Sequence, residues 1–280
     1  MKLCYLIGYP VDHSLSPVMH NAAFQRLGLG YEYQPMAVEP GRLKEFIEGS
    51  LRSPSVRGAN VTIPHKVEAV RLMDRLDETA EAIGAVNTVV NDHGTLTGYN
   101  TDGQGAVRAL EEAYGDLRWR KVVLLGAGGA ARAVSHSLVG LVGDLTILNR
   151  DEGRAAELKE SLRRPGGASV KSGGLGELAS TIGSADILIN ATSVGMKPGT
   201  EATPVDPKLL HPGLLVFDLV YNPPQTRLLA DAKVAGAKCL SGVEMLVYQG
   251  AEAFRLWTGV EPPEALMLSV VKQRLGGGVR

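Results

Sequence analysis

The chain is 280 residues long, enough for one large domain or, more in keeping with its length, two of ordinary size. Its 29 basic and 30 acidic side chains leave a net charge of −1, so no general field draws it to nucleic acid or to an anionic membrane, and neither is expected as a partner. The two cysteines, Cys4 and Cys239, lie far apart within apolar runs, a pattern of buried reduced thiols in a cytoplasm rather than of a disulfide framework or a zinc site.

Residues 3–7 read as an apolar strand too short for a signal peptide, and no run approaches the roughly 20 apolar residues of a membrane helix. After Gly8, the stretch Val11-Asp12-His13-Ser14-Leu15-Ser16-Pro17 leads into a helix reaching residue 27, with the Ser16 hydroxyl as N-cap and Pro17 at the first helical position. Ser14 has no such duty, and a hydroxyl beside a helix start suits an anionic group such as a carboxylate. Residues 31–38 read as a strand, 41–51 as a helix and 56–63 as a strand, the alternation of an α/β sheet with parallel pairs. In that last strand Asn60 and Thr62 share one face, while Val61 and Ile63 point to the core; Pro64 ends the ladder and Lys66 follows. An amide, a hydroxyl and an ammonium close together on a rigid edge suit an oxygen-rich ligand. Solvated polar residues at a strand edge are the plainer alternative.

Helical stretches at 66–73 and 77–83 precede a strand over 84–90, where Asn87 and Thr88 interrupt the apolar residues. Asn91-Asp92-His93-Gly94 is a hairpin turn and 95–99 its returning strand. Asn100-Thr101-Asp102-Gly103 opens a helix through Tyr114, with Asp102 either its N-cap or a carboxylate facing Lys66.

The second half opens on residues 121–125, a continuous apolar run typical of a parallel strand buried on both faces. It flows into Gly126-Ala127-Gly128-Gly129-Ala130-Ala131, a G-x-G-x-x-A pattern with a strand before it and a helix after it. The glycines allow a tight turn and close approach of a pyrophosphate, toward which the helix N–H groups carry positive partial charge. About 20 residues on, where an NAD site usually places an acid, the next strand ends in Asn149-Arg150, with Arg154 one turn later. Two guanidiniums suit a ribose 2′-phosphate, so NADP is expected. Asp151 would repel that phosphate if it pointed inward, which leaves NAD open. Helices are expected over 151–163 and near 175–182, and buried strands over 185–190 and 214–219. Asn190, Thr192, Leu219 and Tyr221 then fall at the carboxyl ends of strands, where open parallel sheets bind ligands. Gly242 begins a long helix to residue 257 that carries Met245 and Gln249; a last helix covers 263–275, and the tail from Gly276 is expected to be mobile.

From end to end these motifs resemble the shikimate dehydrogenase family. The matches are Ser14-Leu15-Ser16-Pro17 with His20-Asn21, Gly58 to Pro64 with Lys66, Gly84-Ala85-Val86-Asn87-Thr88, and Asn100 to Gly103. They continue through Gly126 to Ala130, Asn149-Arg150, Asn190 to Met196, Asp218 to Pro223, and Gly242 to Leu246 with Gln249. The resemblance implies two α/β domains with a cleft between them. A discontinuous substrate domain with a mixed, mostly parallel sheet would take residues 1–103 plus 243–280, and a Rossmann-type NADP-binding domain residues 104–242.

The reaction so implied is the reversible reduction of 3-dehydroshikimate to shikimate by hydride transfer from NADPH, a step of aromatic amino-acid biosynthesis, in a cytoplasmic monomer or homodimer. Lys66 and Asp102 would form the catalytic pair. Ser14 and Ser16 would hold the substrate carboxylate, Thr62, Asn87, Asp102 and Gln249 the ring hydroxyls, with Tyr221 assisting. NADP would lie against Glu78, Gly126, Ala127, Gly128, Gly129, Ala130, Asn149, Arg150, Asp151, Arg154, Thr192, Leu219, Gly242 and Met245. No metal is expected, since the histidines show no ligand spacing. Chemistry supports the catalytic pair: as hydride reaches a ketone carbon, charge grows on the oxygen, and a positioned ammonium can stabilise it and then protonate it. The family often has Thr where this chain has Asp151. The readings left open are a quinate/shikimate dehydrogenase using NAD, a folate-linked dehydrogenase, and a non-catalytic NADP-sensing module.

Overall fold

A computed structural model of the chain describes residues 1–162 and 166–276. Residue 163, at the expected end of one helix, and the tail beyond Gly276 lie outside the described residues. The chain divides into two compact units, one formed by Met1–Asp102 together with the chain from Leu246 onward, the other by Gly103–Met245.

The first unit starts with β1 (Lys2–Gly8), α1 (Ser16–Arg26) and β2 (Tyr31–Ala37). The stretch expected as one helix over 41–51 is α2 (Leu43–Phe46) continued by a π-helical turn, Ile47–Leu51. Then come β3 (Val56–Val61), a 3₁₀ turn (Glu68–Leu72), the two-residue β4 (Arg75–Leu76), α3 (Glu78–Ile83) and the hairpin β5 (Thr88–Asp92) and β6 (Thr95–Tyr99). At its tip His93 and Gly94 both take positive φ, 52° and 93°, as a tight hairpin with the right-handed strand twist requires. The strands form a six-stranded sheet in the order β2-β1-β3-β5-β6-β4. It is mixed: β1 pairs parallel with β2 and β3, β4 with β6, while β3–β5 and β5–β6 are antiparallel. Ile7, Leu43, Ile47, Leu51, Val61, Val89 and Leu96 pack as its core.

α4 (Asp102–Tyr114) leads into the second unit, where β7 (Lys121–Leu125), α5 (Gly129–Leu138), β8 (Asp144–Asn149), α6 (Glu152–Ser161) and β9 (Ser169–Gly174) follow. Next are a 3₁₀ turn (Leu175–Glu177) running into α7 (Leu178–Ile182), β10 (Ile187–Asn190), β11 (Leu215–Asp218), α8 (Arg227–Val234) and β12 (Lys238–Ser241). All six strands are parallel, in the doubly wound order β12-β11-β10-β7-β8-β9. Cys239 sits on the edge strand and is exposed, unlike Cys4, so the expectation of two buried thiols holds for Cys4 alone.

α9 (Gly242–Thr258) and α10 (Glu264–Gly276) complete the chain. The tryptophan of α9, Trp257, donates its indole N–H to the Val89 carbonyl at 3.0 Å and so anchors the helix on the first sheet. His20 and Tyr33 lie beside it, His20 stacked on the Tyr33 ring at 4.6 Å, and His20 in turn meets Phe24 and Phe254. His20 is fully buried and neither ring nitrogen has a hydrogen-bond partner, so desolvation lowers its pKa from 6.5 to about 3. The buried ring stays neutral while the unfolded chain takes up a proton. Stability is therefore expected to fall as pH drops from 6.5 toward about 3, with a slope from this group approaching ~1.4 kcal/mol per pH unit. Urea denaturation at stepped pH checks this: His20→Leu should lose that component of the slope, and identical slopes would contradict it.

Candidate active site

In the first unit the expected substrate residues gather at one end of the sheet. β1 and β3 run parallel, so Ser14, Ser16, Thr62 and Lys66 all follow carboxyl ends. β5 returns antiparallel to β3, which puts Asn87 at the same end, its carbonyl accepting from the Val61 N–H at 2.8 Å. β6 brings Asn100, Thr101 and Asp102 back to it. β3 stops at Val61, before the cis Ile63–Pro64 peptide, and Ile63 is 55% exposed instead of packing into the core as strand alternation predicts. Ile63 lies beyond the end of the strand, where the two-residue period no longer sets the side chain, although its carbonyl still accepts from the Tyr9 N–H at 3.0 Å.

The Lys66 ammonium donates to Asp102 Oδ2 at 2.5 Å, with the two side chains only 15% and 5% exposed. Asp102 Oδ1 accepts from Asn87 Nδ2 at 2.8 Å, and the same amide nitrogen reaches Thr101 Oγ1 at 2.9 Å and Gln249 Oε1 at 3.3 Å. Gln249 is buried, its own Nε2 donating to the Leu246 carbonyl at 2.8 Å. Asp102 does not cap α4. It is the first helical residue, and Asn100 Oδ1 accepts from its N–H at 3.1 Å, leaving the Asp102 carboxylate to face Lys66. Ser16 is likewise not the cap of α1: it lies within the helix and is buried, and its N–H donates to Ser14 Oγ at 3.3 Å. The two hydroxyls are adjacent, 3.4 Å apart.

In the second unit the dinucleotide motif occupies the β7–α5 turn. Gly126 has φ +112°, and a Cβ there would sit 3.0 Å from the Ala191 carbonyl, so only glycine fits without strain. α5 starts after Gly128 with no side chain capping its N-terminal N–H groups, which stay available to an anion near Gly128, Gly129 and Ala130. Asn149 ends β8, and Arg150 and Arg154 are exposed beside it. Thr192, Leu219 and Gly242 follow β10, β11 and β12, at the same carboxyl end of the sheet, where a Cβ on Gly242 would come within 2.3 Å of the Leu219 carbonyl. Met245 is buried in the first turn of α9. Among the described residues no cluster of His, Cys, Asp and Glu could hold a metal ion, and no helix is long and apolar enough to cross a membrane.

Three family models match the chain: a shikimate dehydrogenase substrate-binding domain over residues 6–89, a shikimate/quinate 5-dehydrogenase over 108–206 and a shikimate 5′-dehydrogenase C-terminal domain over 242–272. A curated shikimate dehydrogenase (NADP+) of Methanosarcina acetivorans is 50% identical over 275 residues, covering 96% of this chain and 97% of its own. The chain belongs to the shikimate dehydrogenase family. Its fold is likewise similar to a crystal structure of a shikimate dehydrogenase in complex with NADP+ (TM-score 0.89, 43% identity, 98% of this chain and 96% of that one). The shikimate 5-dehydrogenase of Thermus thermophilus, solved with NADP(H) and shikimate, aligns with a TM-score of 0.86 at 36% identity, covering 98% and 99%.

Against the sites expected of a shikimate dehydrogenase, the structure joins Lys66, Asp102, Asn87 and Gln249 in one hydrogen-bonded group. Tyr221 lies in the second unit, two residues beyond Leu219, and Glu78 opens α3 in the first, its side chain exposed. Several participants escaped sequence reasoning. Thr101, read only as part of a helix entry, donates its hydroxyl to the Gln249 carbonyl at 3.0 Å and its N–H to Asn87 Oδ1 at 2.8 Å. Asn60, expected as the amide of a ligand-binding edge, is instead turned inward and with Thr88 forms a buried layer behind Asn87. In the second unit Asp218 accepts from Asn190, Val220 and Thr226, which shapes the loops after β10 and β11; burial pushes its carboxyl upward. The available signal was the set of Asn-Thr pairs at strand ends, Asn87-Thr88 and Asn100-Thr101, where amides and hydroxyls stand at positions that a packed sheet buries.

Proposed function

We propose that the chain is an NADP-dependent shikimate dehydrogenase that reversibly reduces 3-dehydroshikimate to shikimate, in the cytoplasm, as a monomer or homodimer. The observation that carries the reading is the Lys66–Asp102 pair, its carboxylate buried and its ammonium partly so, set among amide and hydroxyl groups at the sheet end of the unit whose family match is to a substrate-binding domain. The first unit is the substrate domain and the second the NADP domain. Ser14 and Ser16 present two hydroxyls to the substrate carboxylate; Thr62, Asn87, Asp102 and Gln249 take the ring hydroxyls, with Tyr221 assisting.

The second unit's residues fit NADP. The uncapped start of α5 and the turn at Gly126 suit the pyrophosphate, with Ala127 to Ala130, Thr192, Leu219, Gly242 and Met245 lining the approach, and Glu78 contributing to cofactor binding. Arg150 and Arg154 suit the 2′-phosphate. Asp151 is no obstacle, because its carboxylate caps α6, accepting from the Arg154 N–H at 3.3 Å, while Asn149 Nδ2 holds the Asp151 carbonyl at 2.9 Å. NADPH supplies the hydride. Lys66 stabilises the charge that grows on the ketone oxygen and gives it a proton, and Asp102 keeps the ammonium aimed there. In the reverse direction the same pair removes the hydroxyl proton.

Incubating the protein with 3-dehydroshikimate and NADPH, and identifying the product by chromatography against authentic shikimate, tests the assignment. Oxidation of NADPH with stoichiometric shikimate is expected; NADPH binding without turnover would favour a sensing module instead.

A further inference from the structure

The group behind the catalytic pair has a direction. A carboxamide presents an acceptor and a donor of nearly the same shape, so its neighbours alone decide which end faces where. The Thr101 N–H can only donate and meets Asn87 Oδ1 at 2.8 Å, which turns Asn87 Nδ2 toward the Asp102 carboxylate. Thr88 adds a second donor to the same oxygen, its hydroxyl reaching Asn87 Oδ1 at 2.9 Å. A hydroxyl has a single proton to give, and an amide oxygen can only accept, so the short contact to Asn87 takes the Thr88 proton while Thr88 Oγ1 accepts from Asn60 Nδ2 at 3.0 Å and stands 3.5 Å from Thr101 Oγ1. Asn60 is oriented in turn by the Tyr33 phenol, which donates to Asn60 Oδ1 at 2.8 Å, while Asn60 Nδ2 also reaches the Asn87 carbonyl at 3.3 Å. The Tyr33 ring is held by its stack on His20.

Each donor thus points the same way: Tyr33 to Asn60, Asn60 to Thr88, Thr88 to Asn87, Asn87 to Asp102. All five side chains are buried. Strand register builds the relay, since Asn60 of β3 and Thr88 of β5 are direct antiparallel partners. In a buried site a broken link leaves an unpaired polar group with no solvent to replace the partner, and linked bonds polarise one another.

We propose that Thr88, backed by Asn60 and Tyr33, is a positioning residue for the reaction: together with Thr101 it fixes the Asn87 amide, and through it the carboxylate that aims Lys66. The proposal rests on the shikimate dehydrogenase reading above. Its test is steady-state shikimate oxidation with NADP by the wild type, Thr88→Val, Thr88→Ser, Tyr33→Phe and the Tyr33→Phe/Thr88→Val pair. Thr88→Val keeps the side-chain shape and removes the hydroxyl; kcat should fall about tenfold while the KM for NADP stays unchanged. Thr88→Ser restores the hydroxyl and should remain within about twofold of wild type. Tyr33→Phe should lower kcat about threefold, and the double variant should be no worse than Thr88→Val, because a relay already cut cannot be cut again. A purely structural role would lower thermal stability without this kcat pattern. Wild-type kcat in both single variants, or losses that multiply in the pair, would overturn the proposal. Should Thr88→Val not fold, Tyr33→Phe decides: a reduced kcat supports the relay and an unchanged one overturns it. A wild type that oxidises shikimate alongside indifferent variants refutes the relay alone, whereas a wild type inactive on shikimate refutes the functional reading and the relay with it.

Discussion

Lys66→Ala should fold and bind NADP normally yet lose turnover by about 10²–10⁴-fold, the range for removal of a general acid. The substitution takes away the ammonium bonded to Asp102, whose other oxygen keeps its bond to Asn87. Lys66 is not one of the residues that pack the core of the first sheet, so that packing survives its loss. Stopped-flow and steady-state assays with shikimate, together with fluorescence titration of NADPH, separate the two effects. Near-normal kcat would remove Lys66 from the chemistry, and lost NADPH binding would indicate that it acts through the fold. Asp102→Asn is the companion variant: it retains the shape while replacing the acceptor that orients the ammonium.

Arg150→Ala should raise the KM for NADP by about 10–100-fold while leaving that for NAD nearly unchanged, as expected for loss of one or more charge-assisted bonds to a 2′-phosphate. Arg150 follows the last residue of β8 and its side chain is exposed beside the α6 start, whose N-terminal dipole adds to the same positive field. Asp151 would have argued for the opposite preference from sequence. Its carboxylate is instead turned to the helix that it caps. Parallel KM determinations with both cofactors settle the point, and equal losses for NADP and NAD would show that Arg150 does not read the phosphate.

Much of the fold was legible because its central strands bury both faces. The apolar runs of β7, β10 and β11 announce themselves, and the Gly126-x-Gly128 turn marks the passage from strand to helix. The strands that sequence reading missed, β4, β9 and β12, are all sheet edges. With one neighbour each and half-exposed side chains, as in Ser169–Gly174, they carry little hydrophobic periodicity. The π-helical turn at Ile47–Leu51 has the same apolar spacing as an α-helix over so short a span.

At the site, residue types and family resemblance pointed to Lys66, Asp102 and Asn87, which the structure bonds together, but left open whether Asp102 caps a helix or faces Lys66. Ser16 and Asp102 both look like N-caps in sequence, because the cap preference of Ser and Asp is strong. In the structure the neighbours Ser14 and Asn100 supply those oxygens, and Ser16 and Asp102 keep their side chains for other work. The layer of Tyr33, Asn60 and Thr88 was beyond reach, since it depends on the register between β3 and β5, which no local pattern encodes.

The most direct measurement is a matrix of initial rates: shikimate and quinate, each with NADP and with NAD, on the purified full-length protein. The highest kcat/KM is predicted for shikimate with NADP. A preference for quinate with NAD, or no oxidation of shikimate with either cofactor, would contradict the account.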